Sequence, residues 1–139
     1  MLSCFERIVH VYETDLMGIV HHSNYLRFCE EARVDWCKKK GLLSSDSDTV
    51  YSLSVLETKV KHIRPAKFSD LIQILIQAKV IGARLVFQYK LFVADKIVCI
   101  AETVHCNLVL DLDKKLKVKR LNIKLMKTLE NEIWTETWL

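Results

Sequence analysis

The chain has 139 residues, half of them hydrophobic, and a net charge of +4. Residues 1–139 are expected to form a single domain with a packed core, because three glycines and one proline leave little sequence for linkers. The lysines and arginines are mostly dispersed, with one basic run at 114–119, so no nucleic-acid partner is expected, although an anionic small molecule would suit the charge.

The cysteines favour a reducing compartment. They are five in number, an odd count, and none belongs to a CxxC pair; they stand at 4, 29, 37, 99 and 106. Glu6 and Arg7 interrupt the start before any apolar run, so no signal peptide is expected, and no segment approaches the about 18 apolar residues of a membrane span. These features predict a cytoplasmic protein with reduced thiols.

The first third of the chain predicts a strand, a loop and a long helix. Residues 5–12 alternate as a short strand with Phe5 and Val11 on its apolar face. The helix is predicted from Ser23 or Asn24, either of which could be its N-cap, to Gly41. Its apolar stripe recurs every three or four residues and consists of Tyr25, Phe28, Cys29, Ala32 and Trp36.

The rest of the chain predicts an antiparallel sheet. After an exposed connection at 42–49, apolar alternation with short turns predicts four strands, at 50–63, 71–81, 85–93 and 97–110. Leu121, Leu125 and Leu129 suggest a closing helix, followed by a tail of uncertain order. The pattern indicates an α+β fold in which the long helix covers the apolar face of the sheet.

The loop before the long helix carries a lone carboxylate, Asp15. The first turn of a helix presents unpaired N–H groups, which can hold a developing oxyanion, and Gly18 would let the loop fold back towards it. A carboxylate at such a place suits hydrolysis of an activated acyl group. By spacing alone, an Asp before a helix is more commonly a turn or capping residue.

Two segments resemble a known family. The run ETDLMGIVHHSNYLRFCEEAR is similar to the signature of the hotdog-fold 4-hydroxybenzoyl-CoA thioesterase family, closest to the bacterial branch associated with the Tol–Pal cluster. The likeness continues at HIRPAKFSDLIQI and in the last long strand, and covers roughly residues 5–125. It implies a five-stranded antiparallel sheet wrapped around one central helix, in homodimers or homotetramers that pair through their sheets.

The resemblance also implies roles for particular residues. Asp15 matches the family's nucleophile or general base, and His22, seven residues later, matches its backbone oxyanion donor. The implied substrate is an acyl-CoA, with its site at a dimer interface, no metal and no separate cofactor. The positions assigned to substrate binding are Gly18, Ser23, Tyr25, Arg64 and Arg84, with Arg84 expected to meet the CoA phosphates.

Several alternatives stay open at this point. The fold could serve a non-catalytic scaffold that binds thioesters or acyl carrier protein, or an acyl-carrier-protein thioesterase. A hotdog dehydratase would pair His22 with Glu30 or Glu31, which the Asp-x-x-Gly loop fits poorly. A zinc enzyme is the weakest alternative, because the five histidines show no HExxH or Cys-pair spacing.

Overall fold

The computed structural model describes residues 2–42 and 53–139. Two helices and six strands form there, besides a short 3₁₀ turn at Val11–Glu13. Their bounds are β1 Ser3–Ile8, α1 Ser23–Lys39, β2 Leu53–His62, β3 Leu71–Ile81, β4 Arg84–Val93, β5 Lys96–Leu110, β6 Leu116–Lys119 and α2 Ile123–Glu130.

One antiparallel sheet contains all six strands. Its main order is β1-β3-β4-β5-β2, and β6 pairs with the end of β5. The outer edge of β2 pairs with no other described strand. The architecture is therefore the predicted α+β arrangement of a sheet around one long helix.

The core lies between α1 and the sheet. All five residues of the predicted helix stripe are at most 3% exposed, and Trp36 meets Phe87 of β4 edge-on with ring centroids 5.2 Å apart. Burial raises the pKa of the Cys37 thiol to about 11 and that of Cys99 to about 12. Both thiols therefore stay neutral at ordinary pH. Since only the ionised thiolate is reactive, the role of these cysteines is to fill the core.

The first strand is shorter than its sequence predicts. It ends at Ile8, and Val11 is 66% exposed instead of lying on the apolar face. The carboxylate of Glu13 reaches back to the backbone N–H of His10 (2.8 Å), so the chain turns into the 3₁₀ helix. A side chain that satisfies a backbone donor three residues earlier closes a turn instead of extending a strand.

Two other features differ from the sequence prediction. Leu42, predicted to begin an exposed connection, is fully buried, and residues 43–52 lie outside the described chain. Strand β6 was not predicted from the sequence, because all four of its residues are exposed and the segment stands out only by its basic residues. The sheet thus has a sixth strand beyond the five expected.

The C-terminal segment, residues 131–139, covers the outer face of the sheet. Gln77 and Gln88 point away from α1, as their alternation predicts, yet both are 0% exposed. Gln77 donates to the carbonyl of Glu136 (2.8 Å), and the amide of Trp138 donates to Gln88 (2.9 Å). The tail, left without a predicted structure, is therefore held on the sheet by hydrogen bonds to buried amide side chains.

A buried ion pair joins β1 to the loop before α1. Both nitrogens of the Arg7 fork contact the Glu13 carboxylate (2.6 and 2.8 Å), and each side chain is less than a tenth exposed. Arg7 also contacts Glu31 of α1 at 2.6 Å and lies 4.0 Å above the Phe28 ring. Burial opposes ionisation of Glu13, but the hydrogen bonds from Arg7 and His10 outweigh it and lower its pKa.

Replacement of Glu13 by Gln should reduce the free energy of unfolding by about 3 kcal/mol at neutral pH, because it leaves the Arg7 charge poorly compensated in a buried site. A carboxyl whose pKa is lowered by folding stabilises the native state above its unfolded pKa, and this contribution is lost as the pH falls through the folded pKa. The wild type should therefore lose this stabilisation progressively as the pH falls below about 5 and through the lowered pKa of Glu13, and Glu13→Gln should not. Urea denaturation across that range measures both effects.

Glu31→Gln is the matched control, because its carboxylate binds the same guanidinium while 44% exposed. Its loss should cost less than about 1 kcal/mol. Equal losses of unfolding free energy in the two variants would show that burial of Glu13 does not determine how much its ion pair with Arg7 stabilises the fold.

Candidate active site

The loop that carries Asp15 is a tight turn. Gly18 donates its N–H to the Asp15 carbonyl (3.0 Å) and adopts a φ of +77°, which favours glycine. One oxygen of the Asp15 carboxylate accepts the N–H of Met17 (2.8 Å). No donor in the described part of the chain contacts its other oxygen, so half of this carboxylate remains available for chemistry.

Neighbouring segments hold the turn in place. Val20 donates to the Ala66 carbonyl (2.8 Å), next to the single proline, and the backbone of Asp15 donates to Ile19 (2.9 Å). The Glu13 carbonyl accepts both the N–H of His21 (2.9 Å) and the side-chain amide of Asn24 (2.7 Å). The loop and the start of α1 are thereby fixed relative to each other.

The first turn of α1 leaves one amide unused. Asn24 and Tyr25 donate backward to carbonyls 2.9 and 3.4 Å away, and the amide of Ser23 donates to Nδ1 of His21 (3.2 Å). The N–H of His22 makes no hydrogen bond within the described residues. It is therefore the donor that the helix start can offer to a bound oxygen.

The predicted N-caps are both wrong. Asn24 is inside the helix and uses its side chain on Glu13, and the Ser23 hydroxyl contacts His21 Nδ1 (2.7 Å). His22 occupies the N-cap position and makes no side-chain cap. Both candidate side chains are thus engaged by residues before the helix instead of capping it.

Asp15 and His22 line the same cavity, which has a volume of about 400 Å³. It opens between the Asp15 loop, the start of α1 and the end of β2. Its lining comprises Asp15, Ile19, Val20, His22, Tyr25, His62, Ile63, Arg64 and Pro65. The sequence-predicted nucleophile or base and the sequence-predicted oxyanion donor are thus brought to one place.

Two of the predicted substrate-binding residues also line this cavity. Tyr25 is 3% exposed, and its hydroxyl accepts the N–H of Ala66 (3.3 Å). Burial raises the pKa of Tyr25, so the phenol stays neutral and shapes the wall. Arg64 donates to the Ile97 carbonyl (2.8 Å) while its side chain remains exposed at the rim.

The other three predicted binding residues do not line it. Gly18 forms the turn, and Ser23 is engaged by His21. Arg84 lies on the outer face of the sheet, in a separate depression with Trp134. Along β5, the residues opposite His62 and Arg84 are Cys99 and Cys106, seven positions and so about 23 Å apart.

His62 is a cavity residue that sequence reasoning missed. Its ring packs edge-on against Tyr25, with centroids 5.1 Å apart. The only signal is its place directly before Ile63 and Arg64, within the segment HIRPAKFSDLIQI that resembles the family. A histidine in an alternating strand gives no other indication that it faces a cavity.

The chain is similar to several known proteins. Residues 9–124 match the thioesterase-like superfamily. A protein of Aquifex aeolicus (strain VF5), provisionally named an esterase, is 34% identical over 104 residues, which cover 73% of this chain and 81% of that protein. The acyl-CoA thioesterase YbgC of Helicobacter pylori (strain 26695) is 31% identical over 71 residues, 51% of this chain and 52% of its own.

A solved structure carries the same fold. The 4-hydroxybenzoyl-CoA thioesterase from Pseudomonas sp. strain CBS-3 superimposes with a TM-score of 0.79 over 91% of this chain and 97% of its own, at 15% identity. At that identity the likeness shows the fold alone, and the predicted hotdog fold is confirmed. The predicted class of enzyme, a thioester hydrolase, is confirmed at the level of the family. The chain belongs to the thioesterase-like superfamily.

Proposed function

We propose that this protein hydrolyses acyl-CoA thioesters, with Asp15 as nucleophile or general base and the N–H of His22 as oxyanion donor. One observation carries the proposal: the unengaged oxygen of Asp15 and the unused amide of His22 belong to residues that line one cavity of about 400 Å³. The cavity can hold an acyl group and the adjoining thioester, while the remainder of CoA extends over the protein surface.

The reaction converts an acyl-CoA and water into a carboxylate and free CoA. The thioester oxygen binds the His22 amide, which stabilises the negative charge that develops there. Asp15 either attacks the carbonyl carbon, expelling the CoA thiolate and leaving a mixed anhydride that water cleaves, or removes a proton from the attacking water. Both routes need a carboxylate close to the His22 amide.

Asp15→Asn should lower kcat by about 10²–10⁴-fold with little change in KM, because the amide is neither a base nor a nucleophile but fills the same space. It can still accept the Met17 amide, so the turn should persist. Thiol release from acyl-CoAs of aromatic, short-chain and long-chain classes, and from acyl carrier protein, measures the effect. The same panel separates an acyl-CoA enzyme from an acyl-carrier-protein thioesterase or a non-catalytic scaffold.

Asp70→Asn is the matched control for this substitution. Asp70 likewise accepts a backbone N–H, from Lys67 at 2.8 Å, in a turn near the same loop, but it does not line the cavity. Its variant should keep wild-type turnover. Undiminished hydrolysis by Asp15→Asn would refute the assignment.

The open edge of β2 supports a dimer in which the site is shared. The edge is ten residues long, and Val55 on it is 51% exposed. An unpaired edge of this length is a ready template for another strand. Antiparallel pairing of two β2 strands about a two-fold axis would place the His62 end of one chain beside the Ser54 end of its partner.

That pairing gives Arg84 a role in the site of the partner subunit. Within one chain, Arg84 lies about 23 Å along the sheet from the cavity end of β2. This separation is too large for Arg84 to contact a ligand in the cavity of its own chain. Ser54, Cys106 and Arg84 lie on one row across β2, β5 and β4, so Arg84 is two strand spacings, roughly 10 Å, from the shared edge. Arg84 is on the outer face of the sheet, so a CoA that leaves the cavity of one chain and passes the end of the sheet to that face would meet this row of the other chain, where Arg84 could bind its phosphates.

Arg84→Gln should raise KM for acyl-CoA about tenfold or more while leaving kcat nearly unchanged, because one charged phosphate contact is lost. Co-expression of the Arg84→Gln chain with an Asp15→Asn chain then tests whether the two subunits share each site. In the mixed dimer, one site keeps Asp15 from the Arg84→Gln chain and Arg84 from the Asp15→Asn chain. Purified mixed dimers should therefore recover about half of the wild-type activity with a normal KM, since one of two sites is intact.

A mixed dimer that shows only the raised KM would place Arg84 in the site of its own chain. A protein that is monomeric in light scattering yet fully active would exclude a shared site. Both results would leave the hydrolytic role of Asp15 standing. Assembly into tetramers and membership of the Tol–Pal-associated branch stay predictions of the sequence resemblance.

A further inference from the structure

The positive charge of the chain is concentrated in one segment. Residues 114–127, here the basic segment, contain seven lysines and arginines and no acidic residue. Because the whole chain carries +4, all other residues together carry −3. The basic segment spans β6 and the first half of α2, so most of it has a defined position.

The cations of the basic segment face solvent. All seven are exposed, and among the described residues only Lys117 has an acidic partner, Asp111 at 3.5 Å. Lys124 donates to the carbonyl of Gly41 (2.6 Å), at the C-terminal end of α1. The basic segment therefore presents a surface of mostly unneutralised charge, which attracts anionic partners.

Large aliphatic side chains protrude among these cations. Leu112 is fully exposed, Leu116 is 67% exposed and Ile123 is 73% exposed. Next to them, a groove of about 500 Å³ between α2 and the turn at Gly82 is lined by both apolar and charged residues, namely Gly82, Ala83, Leu121, Ile123 and Met126 with Arg120, Lys127 and Glu130. Cations interleaved with exposed aliphatic side chains are characteristic of surfaces that lie on anionic membranes.

We propose that the basic segment and Leu112 dock this protein on a lipid surface rich in anionic headgroups. The cations contact the headgroups, and Leu112, Leu116 and Ile123 enter the interface between headgroups and acyl chains. A small anion such as CoA would need the cations but not the protruding aliphatic residues. A protein helix seated in the groove would cover Ile123 but leave Leu112 and Leu116, which do not line it, in water.

Vesicle sedimentation tests the docking without any turnover. At physiological ionic strength the wild type should sediment with vesicles of phosphatidylcholine mixed with phosphatidylglycerol, and should stay in solution with phosphatidylcholine alone. The variant K115Q/K117Q/K119Q should bind the mixed vesicles about a hundredfold more weakly, since each cation near an anionic surface contributes about a fivefold factor. Raised salt should weaken the wild type in the same direction.

Two further variants separate charge from apolar insertion. The variant R27Q/K67Q/K96Q removes three exposed cations outside the basic segment and should bind like the wild type. The variant L112S/L116S keeps every charge and should bind at least tenfold more weakly, because two aliphatic side chains no longer leave water. Thermal unfolding of each variant confirms that the fold is kept.

The proposal is overturned if the wild type does not sediment with the mixed vesicles, or if K115Q/K117Q/K119Q binds them as tightly as the wild type. Equal weakening by R27Q/K67Q/K96Q would likewise overturn it, since only net charge would then matter. A raised KM for acyl-CoA in K115Q/K117Q/K119Q, with vesicle binding unchanged, would assign the basic segment to CoA instead.

Discussion

The buried contact between Arg7 and Glu13 determines how the candidate site is built. Its bidentate geometry compensates for taking two charges out of water, and its position joins an edge strand to the loop before α1. The backbone carbonyl of the same Glu13 then holds His21 and Asn24. One residue therefore fixes both the turn that carries Asp15 and the start of the helix that leaves the His22 amide unused. Loss of this contact would loosen the loop that carries Asp15 from the start of α1, and the proposed chemistry needs the two to stay together.

The outer face of the sheet shows a second constraint, which hydrophobic alternation does not reveal. Gln77, Gln88 and Glu102 form a hydrogen-bonded row across three strands, with contacts of 3.0 and 2.9 Å. Polar side chains that alternate in this way are predicted to face solvent, yet the C-terminal segment buries the two glutamines. The segment satisfies them with its backbone, and Trp134 lies under the ammonium group of Lys79 (4.1 Å). Alternation thus tells which face a residue occupies, but not what covers that face.

Structural features set by neighbours in sequence could be predicted from the sequence, whereas features set by distant partners could not. The stripe of α1 and the strand alternation are local patterns, and both were correct because burial follows their periods. The end of β1 and the cap of α1 were wrong, since the Glu13 carboxylate and the Asn24 amide have partners that periodicity does not show. Asp15 and His22 are close in sequence and share a cavity, whereas the distance of Arg84 from it depends on sheet register, which no local pattern gives.

The polarity of α1 relates the catalytic proposal to the docking proposal. The cavity is at its N-terminal end and the basic segment at its C-terminal end, where Lys124 contacts Gly41; 17 helical residues, about 25 Å, separate them. A single subunit docked through its basic segment would thus hold its own cavity away from the lipid. Antiparallel pairing through β2 reverses the second subunit, so its cavity faces the same side as the basic segment of the first. Under that pairing, an amphipathic acyl-CoA that partitions into the lipid surface would be near the cavity of the partner subunit.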